Sequence, residues 1–162
     1  MATNEVRRMK LPVESVAGSQ GSVFAEIGNS RYTLASLTKF KATFKTTTTK
    51  KGVLGLPAKQ SRSTGWEGTW EASFYYNQST LRKIAKEYAE TGVFPTINIQ
   101  VINEDPASMT AIGRQSVTFM DCIPEEILLA IIDVEAEILE EDTSGTFNDF
   151  IYNESFKDFP NA

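Results

Sequence analysis

The most constraining stretch of this chain is residues 65–76, GWEGTWEASFYY, where the side chains alternate with a period of two. Trp66, Gly68, Trp70, Ala72, Phe74 and Tyr76 share one face, while Glu67, Thr69, Glu71 and Ser73 share the other. An extended strand puts successive side chains on opposite faces, and aromatic residues suit its pleated surface. The chain is therefore expected to fold around a long strand with its aromatic face in the core.

The neighbouring segments carry the same period. In residues 37–48, Phe40, Ala42 and Phe44 point one way and Lys39, Lys41, Thr43 and Lys45 the other, which predicts a half-buried strand with a basic outer face. Two short strands, 22–28 and 31–34, flank the turn residues Gly28, Asn29 and Ser30. Ile97, Ile99 and Val101 define a strand over 95–102 that ends at the turn Asn103-Glu104-Asp105-Pro106. Residues 114–122 form another, and Phe147, Phe150, Ile151 and Tyr152 supply a last strand in GTFNDFIY. The period changes once. Leu81, Ile84, Ala85 and Tyr88 fall at helical spacing, so 79–91 is an amphipathic helix, with Asn77 or Ser79 at its start and Gly92 as its left-handed cap. The stretch 125–133 admits both a helix opened by Pro124 and a strand, and the β-branched IIDV favours the strand. The fold class is mainly β (α+β), antiparallel with one helix. Residues 1–20 read as a flexible arm, 49–64 as a long loop and 153–162 as a loose acidic tail.

At 162 residues the chain is one domain, and its 41% hydrophobic content suits a packed core without metal or disulfide staples. A single cysteine makes no internal disulfide, and the N-terminus lacks the apolar core of a signal peptide. The longest apolar run, 127–132, is far short of a membrane span. We expect a soluble, reduced, intracellular domain that is not bound to membrane.

Zero histidines remove Ser-His-Asp and Cys-His catalysis together with the commonest zinc sites. The remaining constellations give no chemistry. Glu67 and Glu71 share a strand face, but four residues at about 3.3 Å each separate them by roughly 13 Å, too far for a glycosidase pair. Ser36 and Lys39 spell a Ser-x-x-Lys motif on a strand, where residues three apart face opposite ways. Cys122 has no basic neighbour in sequence and is expected to be a core residue. Glu140-Glu141-Asp142 lacks the spaced oxygens of a calcium loop. Trp66 and Trp70, set among core-facing neighbours, are expected in the core and not as a base-stacking platform. No enzyme, cofactor or metal site is expected.

The charge is polarised. Residues 1–62 hold eleven Lys and Arg against three Glu, a balance of +8, and residues 63–162 hold five against eighteen acidic groups, a balance of −13. Such halves suit a nucleic-acid-binding arm, the complementary ends of an assembling subunit, or two halves that pair within one fold. The basic residues are mostly Lys without interleaved aromatics, which argues against nucleic acid.

The order of segments resembles the tail tube (core tail) proteins of contractile-tailed phages, the XkdM-like type. The resemblance covers about Val23 to Phe150 and is carried by Gly65-Trp66-Glu67-Gly68-Thr69, the Phe74-Tyr75 pair before the helix, Leu139-Glu140-Glu141-Asp142 and Phe147-Asn148-Asp149-Phe150. It implies an antiparallel β-sandwich or partial barrel with one flanking helix, occupying residues 21–152. It also implies hexameric rings stacked head to tail into a hollow conduit inside a contractile sheath. The loop 49–64 would reach the next ring, with Lys45, Lys50, Lys51, Gly52, Gly55 and Lys59 at the ring-to-ring interface. Glu67 and Glu71 are candidates to line the bore, where carboxylates would repel passing DNA, the alternative being that their face meets the sheath. The implied partners are other copies of the chain, the sheath, the tape measure, and the baseplate and tail terminator proteins. The implied location is the tail of a virion or phage-tail-like particle, assembled in the bacterial host cytoplasm. The alternative is a non-enzymatic β-barrel that binds a ligand or nucleic acid.

Overall fold

The computed structural model describes residues 16–34, 36–107, 110 and 112–157. Most of the expected N-terminal arm and the end of the acidic tail (residues 1–15 and 158–162) lie outside them. The strands are β1 (Gly21–Ile27), β2 (Ser30–Thr33), β3 (Leu37–Lys51), β4 (Gln60–Tyr75), β5 (Ile97–Asn103), β6 (Gln115–Met120), β7 (Ile123–Glu126), β8 (Glu140–Phe147) and β9 (Asp149–Glu154), with one helix, α1 (Thr80–Thr91), between β4 and β5. They form a five-stranded sheet in the order β2-β1-β5-β6-β9 and a four-stranded sheet in the order β3-β4-β8-β7. Every pairing is antiparallel. Among the described residues the expected mainly β architecture with one helix is the observed one.

The core lies between the sheets. Trp70, Ala72 and Phe74 of β4, with Phe147 of β8, meet Val23, Ile97 and Ile99 of the other sheet, and Cys122 closes the cluster. Large and small residues alternate across the β3–β4 ladder, where Phe40 stands opposite Ala72 and Phe44 opposite Gly68. Gly68 has to be a glycine. A Cβ there would lie 2.3 Å from the Phe147 ring. At Gly145 a Cβ would lie 2.2 Å from the Ile123 carbonyl oxygen and 2.8 Å from the Trp70 indole, whose Nε1–H donates to the Thr146 carbonyl at 3.1 Å.

Helix α1 ends where expected. Gly92 takes φ +74° and its N–H donates to the Tyr88 carbonyl. Ser79 occupies the N-cap without a side-chain capping bond. Arg82 fastens the helix to the sheet, pairing with Glu141 of β8, donating to the Gln78 and Leu128 carbonyls and lying 4.4 Å over the Tyr76 ring. The acidic run 140–142 thus has structural work: Glu141 is only 3% exposed beneath Arg82, and Asp142 accepts the Ser73 hydroxyl at 2.7 Å.

Four expectations are corrected. Half of the long loop 49–64 is strand, because β3 runs to Lys51 and β4 starts at Gln60, leaving a turn of residues 52–59. Threonines 46–49 suit an extended ribbon, and the ladder holds through a register shift between Thr47 and Thr48. Of the stretch 125–133, Glu125 and Glu126 are strand at the end of β7, while residues 127–133 form neither the helix nor the favoured strand, since no regular element follows before β8. The last expected strand is two strands in different sheets, β8 and β9, separated at Asn148, whose N–H donates to Met120. Trp66 is 40% exposed, whereas Trp70 is 4% exposed, because β4 has passed its last β8 pairing, at Gly68, and is flanked at Trp66 by β3 alone. Its indole stacks on Phe44 at 5.0 Å and meets Phe150 edge-on at 5.8 Å, an aromatic patch at the rim of the core.

Candidate assembly surfaces

The four-stranded sheet has one covered and one open face. Its covered face carries Trp70, Phe74 and Glu141, and α1 is bolted to that side. The open face carries Lys39, Lys41 and Lys45 on β3, Glu67 and Glu71 on β4, Asp142 and Ser144 on β8, and Glu126 on β7. Register pairs Lys45 with Glu67 and Lys41 with Glu71. Opposite charges facing each other across an antiparallel ladder are mildly stabilising, and here they break up the basic stripe that the sequence shows on β3.

The strand directions follow from the same registers. β3 and β8 run towards the β3–β4 turn, while β4 and β7 run away from it. The edge strands β3 and β7 are therefore antiparallel to each other, and each keeps one side of its backbone unpaired among the described residues.

Beyond Gly68, β4 loses its β8 partner and pairs with β3 alone. The eight residues Gln60–Glu67 make a two-stranded arm that projects roughly 26 Å at about 3.3 Å per residue. Of the six sequence-predicted interface residues, the structure gathers five at the end of this arm: Lys50 and Lys51 on β3, and Gly52, Gly55 (φ +85°) and Lys59 in the turn. Lys45 is not with them, lying instead on the open sheet face beside Glu67. The tip also exposes Val53, Leu54 and Leu56, which the sequence analysis did not single out.

The opposite end of the sheet is acidic. Residues 127–139 link the far ends of β7 and β8 and expose Leu129, Ile132, Val134 and Ile138. Between Ile123 and Asp142 there are eight carboxylates and no Lys or Arg. Sequence reasoning missed this surface. The sign that could have found it is the apolar–acidic alternation of Ile132-Asp133-Val134-Glu135-Ala136-Glu137-Ile138.

Among the described residues no group of three His, Cys, Asp or Glu side chains is placed to hold a metal ion. Burial pushes the Cys122 thiol up to about 12, the reverse of an activated nucleophile. The apolar cavity between Ile27, Phe40, Phe74 and Leu81 is about 120 Å³, below the roughly 300–1,000 Å³ of small-molecule sites. No helix among the described residues is long and apolar enough to cross a membrane.

Open edges, a projecting arm and faces of opposite charge define a subunit that builds by contact with other polypeptide surfaces. Residues 12–154 match the family of phage tail tube proteins, and the chain belongs to that family. It is 27% identical over 144 residues to the phage-like element PBSX protein XkdM of Bacillus subtilis (strain 168), covering 89% of this chain and 94% of that one. The fold is shared with a chain of the anti-feeding prophage baseplate (TM-score 0.62, 12% identity, 89% of this chain and 97% of that chain). It is shared also with a chain of the PVC sheath-tube complex, an extracellular contractile injection system in its extended state (TM-score 0.61, 7% identity, 89% and 93%). The protein is a structural tail tube subunit of a phage or phage-like particle.

Proposed function

We propose that copies of this chain close edge to edge into hexameric rings, and that the rings stack head to tail into a hollow conduit within a contractile sheath. The observation that carries this reading is the four-stranded sheet, whose edges β3 and β7 are open and run in opposite directions. In a ring of like-oriented subunits, β3 of one copy meets β7 of the next in the antiparallel sense, so the sheet continues through the seam and no edge stays exposed. Lys39, Lys41 and Lys45 of one copy then approach Glu126 of its neighbour, a pairing of unlike faces that a cyclic contact needs.

In that ring the five-stranded sheet and α1 lie outside, and the open face with Glu67, Glu71 and Asp142 lines the bore. Three lysines, Lys39, Lys41 and Lys45, stand on this face against the four carboxylates Glu67, Glu71, Glu126 and Asp142, a slight acidic excess that disfavours phosphate adhesion while DNA is in transit. The arm residues Lys50, Lys51, Gly52, Gly55 and Lys59 make the ring-to-ring contact. Partners follow from the role: sheath on the outer surface, tape measure in the bore, and terminator and baseplate proteins at the ends. Assembly takes place in the bacterial host cytoplasm.

Negative-stain electron microscopy of the concentrated protein tests this reading, with hollow tubes or stacked rings of uniform width as the expected result. Lys50→Glu with Lys51→Glu should leave the fold intact by circular dichroism and stop tube growth. Tubes unchanged by the double reversal would remove the arm lysines from the contact. Tight, salt-sensitive DNA binding by a monomer would instead favour a nucleic-acid module.

A further inference from the structure

The arm and the 127–139 segment each have a surface that the isolated chain does not satisfy. A two-stranded ribbon is marginal in water without a third strand or an apolar partner, yet the arm extends eight residues past its last β8 pairing. Its tip exposes Leu54 fully, at 103%, with Val53 and Leu56 beside it. At the other end of the sheet Ile132 is 93% exposed and Val134 96%, in a stretch whose period of two suits a strand without a ladder partner. Apolar residues clustered at this level of exposure mark contact surfaces.

Charge matches the two. Between Thr46 and Trp66 the arm carries Lys50, Lys51, Lys59 and Arg62 and no acidic residue. The segment carries Asp133, Glu135 and Glu137 and no basic residue. The registers put the surfaces at opposite ends of one sheet, so they cannot meet within a chain but can meet between two chains related by translation along the strands. We propose that the arm tip of one copy docks on residues 127–139 of a second copy, with Leu54 and its neighbours against Ile132 and Val134 and the tip lysines against the flanking carboxylates. The contact is heterologous, leaving a free arm at one end and a free acceptor at the other, and so it propagates. This rests on the head-to-tail reading above and names the surface that receives the arm.

Cross-linking of the full chain tests it. The native thiol, Cys122, is buried, so engineered cysteines report alone. Leu54→Cys chains are mixed with differently tagged Ile132→Cys chains and treated with a short bismaleimide. The control acceptor is Asn29→Cys, in the exposed β1–β2 turn, and Val134→Cys is a second acceptor should Ile132→Cys fold poorly. Docking holds the two thiols at high effective concentration, so the mixed adduct should exceed the control by roughly tenfold. An adduct no greater than the control overturns the proposal. Micrographs of the same samples separate it from the reading it rests on. Tubes without the adduct overturn the docking alone, the adduct without tubes or rings overturns the tube geometry alone, and the absence of both overturns the two together.

Discussion

At the scale of single residues, this fold depends on places where a side chain has no room. Trp70 lies across the β8 backbone, its ring filling the space above Gly145 while its N–H donates to Thr146. Gly145→Ala would drive a methyl group into the Ile123 carbonyl and the indole together. We expect a loss of about 1–3 kcal/mol in urea unfolding, the usual cost of overpacking, and an unchanged midpoint would contradict the packing described. Cys122 gives a prediction in pH. Desolvation is the main cause that lifts its thiol from an ordinary 9.0 to about 12, with Asp121 adding to it and a backbone hydrogen bond at Ile99 opposing it. The folded state therefore holds the proton more tightly than the unfolded state. The resulting stability is fully present below about pH 9 and is lost as pH rises towards about 12. The stability difference between the native chain and Cys122→Ala should stay flat up to about pH 8 and shrink above about pH 9.

At the scale of elements, α1 and the arm are held in opposite ways. The helix is fixed by Arg82, which joins Glu141, two carbonyls and the Tyr76 ring. Arg82→Ala would leave Glu141 as an unpaired buried carboxylate. We expect a cost of about 3–5 kcal/mol by urea unfolding, partly recovered when Glu141→Gln is added, whereas a loss below about 1 kcal/mol would show the pair to be incidental. The arm has no such anchor past the rim patch of Phe44, Trp66 and Phe150. Trp66→Ala should therefore quicken amide exchange in the arm, residues 46–51 and 60–66, more than in β5 or β6, as hydrogen exchange with mass spectrometry would record.

At the scale of the whole molecule, the overall charge polarity of the sequence becomes a geometric one. Basic residues gather on β3 and the arm, while acidic ones gather at β7 and the far end of the sheet. Lys41→Glu with Lys45→Glu would set like charges against Glu71 and Glu67 and against the neighbour's β7. We expect a stable monomer within about 1 kcal/mol of the native chain and a loss of rings, read by analytical ultracentrifugation. Rings that persist would move the seam away from this edge.

The sequence by itself determined the elements whose side chains repeat: the β4 alternation, the basic face of β3, the short β1–β2 hairpin and the amphipathic α1 with Gly92 as its cap. Such periodicity is local and survives any arrangement of the remaining chain. Only the tertiary structure decided the rest. Whether residues 49–64 were loop or ladder depended on β3 and β4 finding each other's register, which no local pattern encodes. The split of GTFNDFIY into β8 and β9 depended on which sheet each half could reach. Trp66 and Trp70 look alike in the alternation, and only the reach of β8 along β4 buries one and leaves the other at the rim. The proposed contact residues were legible only as neighbours in sequence: Lys50, Lys51, Gly52, Gly55 and Lys59 share the arm tip because they adjoin, whereas Lys45 lies five residues back along β3, opposite Glu67. The 127–139 segment misled because its apolar pattern matches a strand, while among the described residues no strand pairs with it.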